Sequence, residues 1–387
     1  MTSIAFMVIV TASTLFVMAC ENNGKPGEAP ELLRFYVGSS DGSVDFSIFL
    51  CELDLNKNSF GVVDSFAGAK GPSYLAFSPK RKFLYTIDKT IADAKSGFMT
   101  VSSFNINKED GSLDKLNSQS SQGNGPCHVF CSAKGTFLFT ANYSSGNIAS
   151  FPLGEDGAIA EAVSVVQSSG TGPVENRQKG PHTHYVSLDP DENFLLSPDL
   201  GSDKILLYTF DHETGILAPN PEQEFLKLDP GSGPRHLVFH PEGKFVYVAN
   251  ELNSTVTACR FEKKTGTLTI LNTVSTVPET AEGSKFPAAI RIHPSGKFLY
   301  ASTRGETSRI SLFQVEDNGR IYRSQVLEDV PGWPRDFNID PSGHFLLAAG
   351  ERSDVIEYYK IDQQSGDLSK VGGKLSLPAP ACILFTE

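Results

Sequence analysis

A phrase that recurs seven times constrains the fold of this chain more than any other feature. Six copies contain a proline, a short apolar strand, a polar turn and a second strand of the Lys-Phe-Leu-Tyr type, and the seventh ends after its first strand. The copies are about fifty residues apart, a period typical of repeat architectures built from one supersecondary unit. The anchor prolines are Pro72, Pro126, Pro181, Pro234, Pro287, Pro334 and Pro380.

A second phrase, of the Thr-Gly-Thr-Leu type, marks a hairpin in the other half of each unit. Glycine supplies the positive φ that such hairpins require. Clear copies lie at Gly111, Gly157, Gly215, Gly266, Gly319 and Gly366. Each unit therefore contains about four short strands, which is the content of one propeller blade. We predict an all-β fold, a seven-bladed β-propeller with four-stranded blades.

The two ends of the repeat region predict how the ring closes. After Pro380 there is room for only one strand, whereas residues 33–38 form the kind of strand that comes second in the other units. We therefore expect residues 380–386 to pair beside residues 33–40. The C-terminal strand would then complete the N-terminal blade and leave no sheet edge open.

The N-terminal segment predicts export. Residues 3–19 are apolar or small and contain no Asp, Glu, Lys or Arg. This pattern is typical of a signal peptide and is too short for a membrane span. The residues Val17-Met18-Ala19-Cys20 resemble a bacterial lipobox, so Cys20 is the predicted lipidation site. A plain secretory signal and an uncleaved start are the alternatives.

These boundaries divide the chain into three parts. We expect a lipoprotein-like signal peptide at 1–20, a linker at 21–32 and one propeller domain at 33–387. The protein would lie in the cell envelope or periplasm, or be secreted, and touch a membrane only through a lipid anchor. A net charge of −12 and a pI near 5.2 argue against a nucleic-acid partner.

The predicted topology brings two sets of loops to one face of the propeller. Two successive antiparallel strands return the chain to its starting end, so the loop before each inner strand and the loop after each second strand converge there. The entering loops carry His182, His184, Arg235, His236 and Arg335. The leaving loops carry Asp199, Asn250, Glu251 and Arg304. A local excess of arginine in an acidic chain predicts a site for an anionic small molecule.

Four phrases on these loops resemble the seven-bladed lactonase family, which groups the cycloisomerase type of 6-phosphogluconolactonase with fungal carboxymuconate cyclase. They are 180–184 (Gly-Pro-His-Thr-His), 199–204, 233–236 (Gly-Pro-Arg-His) and 250–255. The resemblance covers residues 33–387. It implies catalytic roles for His182 or His184, Arg235, Glu251 and Arg304, although Thr303 stands where the family has Asn before the last arginine.

The resemblance implies a hydrolase that opens a sugar or aldono-lactone, such as 6-phosphogluconolactone. Glu251 would be the general base, an arginine would stabilise the oxyanion, and His184 would be the acid. Further substrate contacts are expected from Asp199, His236, Asn250 and Arg335. No metal or organic cofactor is required, and we expect a monomer that binds a small lactone or carboxylate.

Three alternatives remain open at this point. The same groups serve a cycloisomerase of the carboxymuconate cyclase type. The propeller also suits a non-catalytic binding module of the envelope, because a fold does not determine function. A metal-dependent lactonase would instead use His182, His184 and Asp199 as ligands.

Overall fold

The structure is a computed structural model that describes residues 29–57 and 59–386, and every regular element in this part is a β-strand. The strands form seven separate sheets. No helix in the described ranges is long and apolar enough to cross a membrane. The predicted seven-bladed, all-β propeller is confirmed.

Each blade is one antiparallel sheet with four strand positions from the channel outward, and we number the blades I to VII from the N-terminus. The innermost strands, from blade I to blade VII, are β29 (Pro380–Phe385), β4 (Leu75–Phe77), β8 (Pro126–Cys131), β12 (Ser187–Leu188), β17 (Pro234–Phe239), β21 (Lys285–Ile292) and β25 (Pro334–Ile339). The second strands are β1 (Leu32–Ser39), β5 (Phe83–Ile91), β9 (Phe137–Asn142), β13 (Phe194–Asp199), β18 (Phe245–Asn250), β22 (Phe298–Gly305) and β26 (Phe345–Gly350).

The outer half of each blade contains the strands joined by the predicted hairpins. The third strands are β2 (Phe46–Asp54), β6 (Met99–Ile106), β10 (Asn147–Pro152), β14 (Lys204–Phe210), β19 (Thr255–Glu262), β23 (Arg309–Val315) and β27 (Val355–Ile361). The outermost strands are β3 (Ser59–Ala67), β7 (Leu113–Ser120), β11 (Ser164–Gln167), β15 (Leu217–Pro219) with β16 (Phe225–Lys227), β20 (Thr267–Ser275), β24 (Ile321–Leu327) and β28 (Leu368–Ser376). Blade IV has a divided outer strand, because β15 and β16 both pair with β14.

The ring closes as the sequence predicts. β29 pairs antiparallel with β1, from Phe35 opposite Phe385 to Ser39 opposite Pro380. The C-terminal strand is therefore the innermost strand of blade I, where it pairs with β1, the first strand of the described chain.

The hydrophobic core consists of seven clusters, each lying between two adjacent blades. The hairpin glycines contribute to this packing. Gly319 has a φ of +84°, and a Cβ there would lie 2.2 Å from the Phe245 ring of the preceding blade. The hairpin of one blade thus packs directly on the first residue of the second strand of its neighbour, which sets the spacing of the ring.

Candidate functional site

One register position in each blade surrounds the mouth of the central channel. The anchor prolines of the inner strands pair with a residue near the end of the second strand, as Pro234 does with Asn250, Pro287 with Thr303 and Pro334 with Gly350. The residue that follows this partner in the chain lies at the mouth. In six blades this position lines the mouth cavity, and it is filled by Ser40, Lys89, Tyr143, Glu251, Arg304 and Glu351.

The inner strands contribute through β-bulges. The pairing register shifts immediately after the anchor prolines Pro126, Pro234 and Pro334. A bulge leaves one residue unpaired and redirects its side chain. The bulged residues Cys127, Arg235 and Arg335 border the cavities at this mouth.

The mouth cavity has a volume of about 390 Å³. Sites for small molecules begin at roughly 300 Å³. Its charged lining residues are four cations and two carboxylates, namely Lys89, Arg177, Arg304, Arg335, Glu251 and Glu351. In a chain with a net charge of −12, this local excess of positive charge favours an anionic ligand.

Glu251 lies at the centre of a buried cluster of arginines. One carboxylate oxygen lies 3.0 Å from Arg235 Nε and 2.7 Å from Arg304 Nη2, and the other accepts a hydrogen bond of 2.5 Å from Arg177. The Glu251 side chain is 6% exposed and that of Arg235 is 2% exposed. We call Arg177, Arg235, Glu251 and Arg304, together with His184, the Glu251 cluster.

The electrostatics of the cluster fix the charge of Glu251. Burial alone opposes ionisation of this carboxyl, but Arg304, Arg235 and Arg177 outweigh it and lower the pKa to about 2. Burial and the nearby Arg304 lower the pKa of Arg235 to about 9. Glu251 is therefore an anion and Arg235 a cation at neutral pH, and the carboxylate is a weak base.

His184 borders the cavity beside this cluster. Burial, followed by the charges of Arg235 and Arg335, lowers the pKa of His184 well below its ordinary value. Its Nδ1 is buried and has no hydrogen-bond partner within the described chain. His184 is thus a neutral imidazole at physiological pH.

His236 lies beneath the cluster. It contacts Arg235 through Nε2, 3.1 Å from Nη1, while a second hydrogen bond joins Arg235 Nη1 to the Ala288 carbonyl at 2.8 Å. An arginine can only donate, so the Nε2 of His236 accepts and the proton lies on Nδ1. His236 therefore supports Arg235 from below and borders a small cavity shared with Arg335.

Three of the predicted site residues lie outside the mouth cavity and stabilise loops. Asp199 is fully buried and accepts hydrogen bonds from Ser168, His182 N, Gly201 N and Ser202. The His182 ring stacks on Tyr143 at a centroid distance of 4.4 Å, and its Nδ1 lies 2.8 Å from the Tyr143 carbonyl oxygen. The Asn250 amide donates to Thr255 and Thr257 within its own blade.

Arg335 enters the mouth from blade VII, two blades around the ring from Glu251. It comes within 3.6 Å of Glu351, whose other carboxylate oxygen accepts a hydrogen bond of 2.7 Å from Ser40. Lys89 donates to the Ser40 carbonyl at 3.0 Å. We call Ser40, Lys89, Arg335 and Glu351 the Lys89 wall, which is formed by blades VII, I and II.

Arg177 and Lys89 are the two cavity cations that the sequence did not predict. Arg177 lies in a long insertion before β12, outside the repeat, and Gln178 anchors this loop through Leu200 O at 2.8 Å and Asp203 at 2.7 Å. No repeat pattern reaches such a residue. Lys89 follows Asp88 at the end of the second strand of its blade, as Glu251 follows Asn250. Aligning this position of the repeat in every blade therefore identifies Lys89 from the sequence.

The remaining sequence predictions concern metal and lipid. No group of three or more His, Cys, Asp or Glu side chains within residues 29–57 and 59–386 is arranged to hold a metal ion. The five described cysteines are free thiols. Cys20, the predicted lipidation site, and the signal peptide lie outside the described residues.

Comparisons with known proteins agree with the architecture. The sequence profile of the family described as "Lactonase, 7-bladed beta-propeller" matches residues 34–385. A 6-phosphogluconolactonase of Bacillus subtilis is 34% identical over 351 residues, which are 90% of this chain and 97% of that protein.

Two solved structures extend the similarity. A candidate 6-phosphogluconolactonase from Bacteroides fragilis superposes with a TM-score of 0.85 at 32% identity, covering 92% of this chain and 98% of that one. A periplasmic gluconolactonase of Pseudomonas aeruginosa superposes with a TM-score of 0.84 at 28% identity, over 92% of this chain and 99% of the other. The chain belongs to the lactonase family of seven-bladed β-propellers.

Proposed function

We propose that this protein is a metal-independent hydrolase that opens a sugar or aldono-lactone at the mouth of the propeller. The observation that supports the proposal most directly is the Glu251 cluster, in which Arg177, Arg304 and a neutral imidazole line the mouth cavity and the buried Arg235 contacts Glu251. Its relatives carry the names 6-phosphogluconolactonase and gluconolactonase. A lactone offers a carbonyl oxygen for the arginines and needs a base for water, and the cluster contains both.

The pKa directions suggest how the roles are divided. With its pKa lowered to about 2, Glu251 accepts a proton from water poorly. We propose that this carboxylate orients the three arginines instead. The pKa of His184 is also lowered, so its imidazole is neutral near pH 7 and has a lone pair that can accept a proton. His184 is therefore a better general base at this pH than Glu251.

The reaction then proceeds in two steps. His184 takes a proton from a water molecule as the water oxygen forms a bond to the lactone carbonyl carbon, and an arginine stabilises the resulting oxyanion. The ring C–O bond breaks when the intermediate collapses, and the imidazolium returns its proton to the departing ring oxygen. The product is a hydroxy acid, which ionises at neutral pH.

Metal independence rests on the surroundings of the possible ligands. Asp199 uses its carboxylate in four hydrogen bonds, and the Nδ1 of His182 faces a carbonyl oxygen. The Asp199 carboxylate is not available to a cation without rearrangement, so the Nε2 of His182, which keeps its lone pair when Nδ1–H donates to the carbonyl, lacks that second ligand. Turnover should therefore persist after dialysis against EDTA, and loss of activity that Zn²⁺ or Mn²⁺ restores would contradict this part of the proposal.

The function is tested by assaying ring opening with neutral and acidic lactones, beside a His184→Gln variant. We expect wild-type turnover above the spontaneous rate and a fall of about 10²-fold or more in kcat for the variant. His212→Gln, in the outer hairpin of blade IV and away from the mouth, is the matched control and should retain full activity. Anion binding without turnover of any lactone would identify a binding module instead.

We also propose that the protein works outside the cytoplasm as a lipoprotein anchored through Cys20. The apolar segment before Cys20 and the periplasmic gluconolactonase among the similar structures support this proposal. Cys20→Ser should leave the propeller folded and release it from the membrane fraction. A wild-type protein recovered from the native cytoplasm with Met1 intact would contradict it.

A further inference from the structure

The single tryptophan of the chain occupies a backbone position that glycine occupies in other blades. The residue before the anchor proline has a φ of +54° at Gly71, +64° at Gly125 and +60° at Gly233. Trp333, which precedes Pro334, has a φ of +62°. A bulky side chain is rarely found in this left-handed region, and such strain persists where the surrounding structure enforces it, often at a functional site.

The indole lies beside two arginines at the rim of the mouth. Its ring centroid is 5.5 Å from the guanidinium carbon of Arg304 and 3.4 Å from that of Arg352, both within reach of a cation–π interaction. Blade V has no space for such a ring, because a Cβ at Gly233 would lie 2.4 Å from Leu252. Arg352 replaces this leucine in blade VII.

Arg304 is the mouth arginine that Trp333 contacts across the boundary between blades VI and VII. Its Nη2 lies 2.7 Å from Glu251, and its Nε donates to the Phe286 carbonyl at 3.2 Å. The Phe286 ring also packs near the indole, at a centroid distance of 6.2 Å. The two polar contacts hold individual nitrogens of Arg304, and the aromatic contact limits movement of the whole guanidinium.

The backbone of Trp333 is held on both sides. Its N–H donates to the Ser308 hydroxyl of blade VI at 2.8 Å, and its carbonyl accepts a hydrogen bond of 3.1 Å from the Glu351 N–H. These bonds fix the strained conformation. Three other blades make the same approach to their anchor proline with glycine, so the fold itself requires no side chain at this position.

We propose that Trp333 is a positioning residue for the lactone-opening reaction. Its indole holds Arg304 where this arginine both contacts Glu251 and reaches the developing oxyanion. This inference rests on the lactonase function proposed above. It assigns the strained backbone to catalysis, because the ring serves the mouth and the turn does not need it.

The test compares two variants that both remove the ring. Trp333→Ala keeps a side chain in the left-handed conformation, whereas Trp333→Gly relieves that strain. The unfolding equilibrium constant, measured by urea denaturation, should therefore be about threefold or more smaller for the glycine variant than for the alanine variant. Both should nevertheless lose about tenfold or more in kcat with little change in KM, since the oxyanion exists only in the transition state.

Trp333→Phe is the conservative variant and should keep kcat within about threefold of wild type, because a benzene ring still offers Arg304 an aromatic face. Phe225→Ala is the matched control, since Phe225 forms a cation–π pair of 4.5 Å with Lys204 at the outer edge of blade IV. It should leave kcat and KM unchanged. Wild-type kcat in Trp333→Gly, as a purely structural role predicts, would overturn the inference and leave the lactonase function intact.

A double-mutant cycle tests the contact without any substrate. Trp333→Ala, Arg304→Gln and the double variant are compared by their unfolding equilibrium constants. The two substitutions should be coupled by a factor of about two or more, the range expected for a cation–π pair. A factor of one would show that the indole does not hold Arg304. Failure of the wild type to open any lactone would remove the proposed function instead, and the cycle would still report on the contact.

Discussion

Blades V and VII place an arginine and a glutamate at the same two register positions, yet the two pairs differ in burial, in separation and in their other partners. Arg235 and Glu251 are 2% and 6% exposed and 3.0 Å apart, whereas Arg335 and Glu351 are 25% and 17% exposed and 3.6 Å apart. Arg304 and Arg177 also contact Glu251, while Glu351 accepts a hydrogen bond from the Ser40 hydroxyl.

The difference follows from what the neighbouring blades supply. Glu251 is followed around the ring by Arg304 at the equivalent position of blade VI, and an insertion in blade IV brings Arg177 over it. Glu351 is followed around the ring by Ser40 at the equivalent position of blade I. Glu351 therefore contacts one arginine instead of three, and its side chain is more exposed to solvent. The same two positions of the repeat therefore carry a buried ion cluster in blade V and a more exposed ion pair, part of the Lys89 wall, in blade VII.

The largest contrast should come from removing each carboxylate. Glu251→Gln leaves three arginines without their shared counterion in a buried site, so we expect kcat/KM to fall by about 10²- to 10³-fold. The free energy of unfolding should also drop by about 3 kcal/mol, which is typical when one partner of a buried ion pair is lost. Glu351→Gln should lower kcat/KM less than about tenfold. Steady-state kinetics and urea denaturation of both variants measure this.

Similar losses for Glu251→Gln and Glu351→Gln would break the comparison. They would mean that the 3.6 Å pair is as important to the site as the buried cluster. Full activity in Glu251→Gln would remove Glu251 from the mechanism altogether.

The sequence predicted most of the fold because the fold is periodic. Seven anchor prolines gave the blade number, and the strand left over after Pro380 gave the closure with residues 33–40. The repeat also placed Arg235, Glu251, Arg304 and His184 on one face. It could not reveal Arg177, which belongs to a non-repeating insertion.

The chemical environment of individual residues was harder to predict. His182 and Asp199 lie on the same loops as the mouth residues, but one stacks on Tyr143 and the other is saturated by local donors. A sequence indicates which loop carries a side chain, whereas burial and the direction of each rotamer depend on packing between blades. The weak basicity of Glu251 likewise arises from three arginines that come from different blades.

Replacing each arginine by lysine should give the next largest contrast. Arg235 uses Nη1 for the Ala288 carbonyl and Nε for the approach to Glu251, a geometry that a single ammonium group cannot reproduce. We expect Arg235→Lys to lower kcat/KM by about 10²-fold, and Arg335→Lys by less than about fivefold, because the wall mainly needs its charge. An equal effect of the two substitutions on kcat/KM for the acidic lactone would contradict this division.

Salt should separate the Glu251 cluster from the Lys89 wall by a smaller amount. Ions screen charges that water reaches, and they affect buried pairs much less. Raising NaCl from about 0.05 to about 0.5 M should increase KM for an acidic lactone several-fold through the half-buried, partly hydrated Lys89 wall, while kcat changes little. A neutral lactone is the internal control, since its KM should rise less. A large fall in kcat would instead indicate that the Glu251 cluster is open to solvent.

The pH profile should show the smallest change, and its direction follows from the two shifted groups of the cluster. The pKa of Glu251 is lowered to about 2, so its carboxylate stays ionised in the folded protein down to about that pH, and its contribution to stability is lost as the pH falls from the ordinary carboxyl range, near 4, toward 2. The pKa of His184 is lowered below 6.5, so the neutral base is lost only when the pH falls through that lower value. Between about pH 6 and 7, kcat/KM for a neutral lactone should therefore change by less than about twofold after subtraction of the spontaneous rate. An acid limb with an apparent pKa of 6.5 or above would show that His184 is solvated in solution, and it would contradict the buried, neutral imidazole on which the proposed mechanism depends.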